Sequence, residues 1–385
     1  MKLIEDSLNK LISYIEKEKY LGYDPYDGLK SPFFKLPFLR NNKFIRFGFQ
    51  QFIKRFPINL RSIFFIPKGY NPVTLGLCIQ GYSRLAKAYP EKKNIFEQKV
   101  NFLVDELEKL IPEGYSGACW GYDFDWEARY SKIPGYQPTI VATGIITNGL
   151  FIAYETFGHQ KAKNLCISAS EFVLKDVKRT YDGNDFCFSY SPFDYQVVFN
   201  ASMKGVRLLS QVYSITKEEK LKDLAFNAAA FVMKHQGIDG SWVYSMSGTG
   251  GWVDNYHTGY IIDCIDEFIN KTGNISFSTN LQNGIKYYLD NFFEKDGIPK
   301  FYNKKIYPID CTAASQSLLT LSRFNHLELG SNTAIWMIQN MQSEEGYFYF
   351  RKFRRYKMRQ SFMRWSNAWM FAGLGDLCLA LKSDK

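Results

Sequence analysis

Several common signatures are missing from this chain. There is no GxxxxGK[ST] loop, no GxGxxG opening a helix after a strand, no HExxH and no GxSxG. Nucleotide-binding, zinc-protease and serine-hydrolase chemistries therefore lack their parts. Histidine is scarce, at four of 385 residues. Seven cysteines, an odd number scattered through helical patterns, do not form a disulfide framework in a chain of this size. No stretch approaches the roughly 20 apolar residues of a spanning helix. The opening MKLIEDSLNKLISYIEKEKY lacks the continuous apolar core of a secretory signal and reads as a mixed-charge amphipathic helix. No Pro/Gly/Ser-rich linker or low-complexity segment interrupts the rest of the chain. The expectation is a cytoplasmic protein, free or membrane-associated, with reduced thiols and no cofactor.

Acidic residues are absent from Ser31 to Tyr70, where eight basic ones (Lys35, Arg40, Lys43, Arg46, Lys54, Arg55, Arg61, Lys68) alternate with Phe and Ile. A second basic cluster runs from Arg351 to Arg364, and the formal net charge is +10. A solvated basic face, an anionic glycan and an anionic membrane surface all fit such a pattern. Nucleic acid ranks last as a partner, because no recognised binding motif accompanies the charge.

What the chain does contain is a repeat. Apolar helical patterns begin near Asn71, Gln137, Phe199, Asn255, Ile309 and Trp365. Aligning Cys78, Leu150, Leu208, Ile265, Leu319 and Leu374 gives steps of 72, 58, 57, 54 and 55 residues. Amphipathic patterns fill the gaps at Phe96 to Leu110, Ala162 to Val177, Lys220 to Lys234, Asn280 to Phe293 and Ser331 to Met341. Each repeat is thus a helical hairpin that cannot bury its apolar face alone. The expected fold class is all-α: an α/α toroid of about six helical hairpins over 71–385, with 1–70 as an N-terminal helix and basic aromatic segment packed on it. Short aromatic stretches such as Cys119 to Trp126, Phe186 to Tyr195 and Gly346 to Phe353 are expected as β-hairpins or loops on one rim.

In such a toroid the junctions between rim and inner helix converge on one mouth. The densest junction holds Trp120, Tyr122, Asp123, Asp125, Trp126, Glu127 and Arg129. Aromatic faces beside carboxylates suit a sugar, since rings stack on C–H surfaces while carboxylates accept hydroxyl hydrogen bonds or move protons. The alternative is packing tryptophans and helix-capping aspartates. A second junction holds Asp254, Asn255, Tyr256 and His257. An imidazole there, with a tyrosine and an amide, suits proton abstraction next to a carboxylate, which is lyase or epimerase chemistry. Its bland alternative is a capping Asp254 or Asn255 with a core histidine. Other junctions supply Asp194, Tyr195 and Asn200, then Asp310 with Thr312, then Arg364 and Trp365. Arg364 suits a substrate carboxylate or phosphate, or an ion pair with a rim aspartate. Two well-separated carboxylates from this set would make an inverting hydrolase pair. Cys119, His257 and Cys311 occupy comparable junctions but lack the close spacing of a zinc site, so no metal is assigned.

Two resemblances rest on particular segments. His235-Gln-Gly-Ile-Asp-Gly-Ser-Trp242 resembles the Gln/Trp repeat of terpenoid cyclases, and Gln339 to Phe348 is a degenerate copy. This implies the α/α toroid shared by those cyclases with six-hairpin glycosidases and lyases. Asp123-Phe-Asp125-Trp126 departs from the Asp-x-Asp-Asp acid run of squalene-type cyclases. Gly22 to Leu29, Cys119 to Trp126 and Met363 to Trp369 together are similar to prokaryotic proteins associated with surface-polysaccharide biosynthesis. The combined expectation is a protein that acts on an acidic or lipid-linked glycan by acid/base chemistry, as hydrolase, lyase or epimerase. Asp123, Asp125 and His257 would transfer protons with Tyr256 and Asn255 assisting, and the remaining junction residues would bind substrate. The alternatives are a noncatalytic glycan-binding or assembly protein and an isoprenoid-binding protein.

Overall fold

A computed structural model describes residues 1–127, 132–246, 248 and 250–384. The chain opens with α1 (Lys2–Lys17), a one-turn α2 (Pro37–Arg40) and α3 (Lys43–Arg55). Inner and outer helices then alternate: α4 (Pro72–Ala88) and α5 (Lys93–Lys109), α6 (Ile140–Phe157) and α7 (Gln160–Lys175), α8 (Phe199–Thr216) and α9 (Glu219–Lys234). They continue as α10 (Asn255–Thr272) and α11 (Ser278–Asn291), α12 (Cys311–Arg323) and α13 (Leu327–Met341), and last α14 (Trp369–Ser383).

Each inner helix packs on the next, and α14 returns to α4, so the six close into a ring. The outer helix that α14 lacks comes from the other end of the chain. α1 lies against α13 and α14, and its Ile4, Leu8, Leu11 and Ile15 are buried at helical spacing in the main core. The all-α toroid expected from the repeat is therefore the fold, with α1 completing the outer ring.

Local chemistry explains where the inner helices begin and end. Asn71, Thr139, Asp254 and Asp310 cap α4, α6, α10 and α12 by accepting from backbone N–H groups two or three residues on. α6 and α10 stop at Gly158 and Gly273 in the left-handed region, where a side chain would be strained. Close approach of α4 and α6 requires glycine: a Cβ on Gly149 would sit 2.2 Å from the Gly76 carbonyl oxygen. α6 has the length and apolarity of a membrane-crossing helix, yet it is an inner member of the ring and most of it is buried.

The rim pieces all precede inner helices and so share one face of the toroid. They comprise hairpin β1 (Trp126–Glu127) with β2 (Lys132–Ile133), hairpin β3 (Arg179–Asp182) with β4 (Asp185–Phe188), and the antiparallel sheet β5 (Ile309–Asp310), β6 (Tyr349–Lys352) and β7 (Lys357–Ser361). Residues 20–70 strap across this rim, bridged at Gly22 to Gly69 and at Tyr23 to Phe362.

Candidate functional site

Parallel inner helices put all their N-termini at the rim, and there they enclose a cavity of about 320 Å³. Its wall is aromatic: Tyr26, Tyr122, Trp126, Tyr190, Tyr244, Trp252, Tyr256, Tyr260, Trp365 and Trp369 contribute, with polar Gln196, Asn200, His257, Thr312 and Arg364 between them. None of these described lining residues is a carboxylate.

The carboxylates of the Cys119 to Trp126 junction are turned toward the strap instead. Asp123 accepts from Lys30 Nζ at 2.9 Å and from Asn71 Nδ2 at 2.6 Å. Arg46 donates to Glu127 at 2.8 Å and to Asp125 at 3.1 Å, and Gln50 exchanges hydrogen bonds with the Glu127 backbone. Asp123 and Glu127 are buried beneath the strap. The strap explains this: from Gly28 onward it has no acidic residue, so it supplies cations to a loop that has carboxylates, and burial makes each pair costly to break. Trp120 is also not at the cavity, since it is fully buried with Nε1 donating to the Leu107 carbonyl. Arg129 lies outside the described residues.

Arg364 takes the second of its two expected roles. It forks onto Asp24, with Nε at 2.6 Å and Nη2 at 2.9 Å from the two carboxylate oxygens. Its guanidinium also faces Tyr122 at 4.8 Å and Trp365 at 4.9 Å. Both ion-pair partners are buried. Burial opposes the charge of Arg364, and Asp24 more than restores it. The pair leaves Nη1 for another acceptor at the cavity wall.

His257 occupies the first turn of α10. Asp254 caps that turn through Oδ1, 3.0 Å from the His257 N–H, while its Oδ2 lies 2.7 Å from His257 Nδ1 and accepts from Trp252 Nε1 at 2.9 Å. A carboxylate on Nδ1 fixes the tautomer with Nε2 unprotonated and available as a base. The ring is wedged between Tyr244, 4.5 Å away, and Tyr256, 4.0 Å away. Burial, and then the Asp254 charge, hold the Tyr244 and Tyr256 hydroxyls well above their ordinary values, so both remain proton donors. Among the described lining residues His257 carries the one imidazole. Asn200 adds an acceptor: it is buried, lines the cavity, and its Oδ1 has no hydrogen-bond partner among the described residues.

Other expected residues fall elsewhere. Asn255 is turned into the core, where it donates to the Lys300 carbonyl and accepts from Tyr288 and Ser317, so it cannot act beside His257. Asp310 caps α12 and accepts from Arg351 at 2.6 Å. Asp194 closes a local turn with Ser191 and Gln196, and Tyr195 is exposed beside Lys178. Cys119 and Cys311 are buried in the core. Among the described residues no three His, Cys, Asp or Glu side chains gather closely enough to hold a metal. Tyr26, Tyr190, Gln196 and Tyr244 line the cavity without having been expected there. Tyr190 and Tyr244 do stand in short aromatic stretches, Phe186 to Tyr195 and Gly240 to Ser245, and Tyr26 in Gly22 to Leu29, a segment that carries one of the resemblances.

A second cavity, of about 370 Å³, opens at the C-terminal halves of the inner helices and is lined by charged residues including Arg84, Lys204, Arg207, Asp263, Glu267 and Arg323. Lys204 and Tyr260 lie between it and the aromatic cavity, with the ammonium 3.6 Å from the ring centroid.

Comparison with known proteins adds a further observation. No family profile matches the chain, and no curated protein matches it in sequence. Solved structures do. A cellobiose 2-epimerase from Bacillus thermoamylovorans superposes with a TM-score of 0.61 at 14% identity, over 81% of this chain and 88% of that one. A glycoside hydrolase family 76 mannosidase from Bacteroides thetaiotaomicron gives 0.61 at 9% identity, over 99% and 100%. An unsaturated glucuronyl hydrolase specific for heparin gives 0.59 at 11%, over 98% and 96%. The likeness is one of fold. This chain has the six-hairpin α/α toroid, and at these identities its chemistry rests on its own residues.

Proposed function

We propose that this protein is a carbohydrate-active enzyme that moves a proton at carbon on an acidic or lipid-linked glycan of the cell surface, as an epimerase or a lyase. The observation that carries the reading is the Asp254–His257 dyad facing an aromatic cavity whose described lining contains no carboxylate. His257 Nε2 takes the proton from a carbon next to a carbonyl or carboxylate, and Asp254 supports the resulting imidazolium. Arg364 Nη1 meets the oxygen on which negative charge develops. A tyrosine hydroxyl returns a proton, to the opposite face of the carbon in an epimerase or to the departing oxygen in a lyase. Tyrosine and tryptophan faces stack on the sugar, and Asn200 Oδ1 accepts from a hydroxyl.

Hydrolysis by two carboxylates is disfavoured, because Asp123, Asp125 and Glu127 are held by Lys30 and Arg46. An isoprenoid occupant is disfavoured as well, because Tyr and Trp line the cavity where Phe and Leu would be needed. A noncatalytic glycan-binding protein is the second reading, favoured by the density of aromatic faces. The fold shared with an epimerase and a glucuronyl hydrolase supports a sugar substrate.

The deciding experiment is NMR in D2O with a panel of uronate-containing glycans. Deuterium at C5 marks an epimerase and unsaturated uronate signals mark a lyase, and either must vanish in His257→Gln. New reducing ends with neither deuterium at C5 nor unsaturated uronate signals would refute the proton-abstraction reading. Binding with no chemical change across the panel would move the conclusion to the noncatalytic protein.

A further inference from the structure

The strap carries a concentration of uncovered apolar side chains. Phe38, Phe44, Ile58, Ile63 and Phe65 are each between 64% and 86% exposed. Single exposed apolar residues are normal on a protein surface, but five this bare within one short segment form a patch that asks for an occupant. The patch is built on a framework of rings: Phe49 lies 5.1 Å from Phe34 and 5.0 Å from Phe64, and Phe33 lies 6.3 Å from Phe65. The buried side of α3, with Arg46, Gln50 and Ile53, faces the rim, which leaves Phe44 and Phe47 turned outward.

Charge identifies the occupant. Arg46 and Arg61 are consumed by buried pairs with Glu127 and Asp27, but Lys35, Arg40 and Arg55 are exposed. No acidic residue occurs from Gly28 to Pro90. A second copy docking through the same patch would set these cations against their own duplicates. A surface of anionic lipid meets both features at once: Phe and Ile enter the boundary between headgroups and acyl chains, and Lys and Arg meet lipid phosphates.

We propose that residues 33–65 form a docking surface for an anionic phospholipid membrane, with α3 lying along the bilayer and the His257 cavity opening beside it. A groove of about 460 Å³ joins the two places: it is lined by Lys54 and Arg55 of α3 and shares Tyr26, Tyr256, His257 and Trp365 with the aromatic cavity. A saccharide whose lipid tail stays in the bilayer can thus lay its sugar against His257 with its phosphate near Lys54 and Arg55. That last step rests on the glycan reading of the cavity, whereas membrane docking stands without it.

The test is co-sedimentation of the full chain with phosphatidylcholine vesicles with and without phosphatidylglycerol. Binding should be at least about tenfold tighter to the anionic vesicles and should weaken with salt. Phe38→Glu with Phe44→Glu should abolish it, and Lys35→Glu with Arg40→Glu should remove the preference for anionic lipid. These side chains are exposed, so circular dichroism should stay that of the parent. His257→Gln should bind vesicles as the parent does, which separates failure of the docking surface from failure of the cavity reading. No vesicle binding, equal binding to both compositions, or a phenylalanine variant that changes oligomeric mass but not vesicle binding would overturn the proposal.

Discussion

Replacing Lys204 with methionine should make the protein more stable, and the gain should depend on pH. Lys204 sits on α8 with 2% of its surface exposed. Burial, and after it the charge of Arg207, pull its ammonium from 10.5 down to about 7, against opposing pulls from Cys264 and Asp263. Below pH 7 the amine is charged in both folded and unfolded chains, so the full cost of burying it is present. Between about 7 and 10.5 the unfolded chain holds the extra proton, and stability must rise with pH. At about 1.36 kcal/mol per unit the cost is on the order of 5 kcal/mol. Lys204→Met should therefore be more stable by several kcal/mol, at most about 5, near pH 6, with the gap closing toward pH 10. Urea unfolding of both proteins across that range measures it. A variant less stable than the parent near pH 6, or two parallel profiles, would refute the reasoning.

The geometry sets three further outcomes. His257→Gln should lower turnover about a hundred- to ten-thousand-fold while glycan affinity, read by calorimetry, stays within a few-fold. Asp24→Asn leaves Arg364 buried without its counter-charge and should cost about 3–5 kcal/mol in chemical denaturation, with faster proteolysis within residues 20–70. Gly149→Ala drives a methyl into the Gly76 carbonyl and should destabilise by about 1–3 kcal/mol, seen as a lower melting temperature.

The ring was legible in the sequence because helical periodicity is local and repeats six times: the starts read at Phe199 and Asn255 are the observed ones, and the others fall within a few residues. The cavity was only half legible. Tyr256, His257, Arg364 and Trp365 could be placed by their positions at inner-helix starts, since every such start faces the same mouth. Asp123 and Asp125 looked catalytic, and Glu127 substrate-binding, because their partners Lys30 and Arg46 lie more than 75 residues away, and pairing at that distance leaves no trace in local pattern. Asn255 misled for a smaller reason. On the first turn of a helix a single residue step rotates the side chain by about 100°, enough to carry it from the cavity to the core.

The placement of α1 also bears on how the chain folds. Ring closure joins residues 2–17 to α13 and α14, contacts whose sequence separation exceeds 300 residues. Such pairings are slow to form and can be made only after nearly the whole chain has been synthesised. Until α13 and α14 have been made, Ile4, Leu8, Leu11 and Ile15 lack the two helices that α1 packs against most. α1 is thus synthesised long before the partners that bury its apolar stripe.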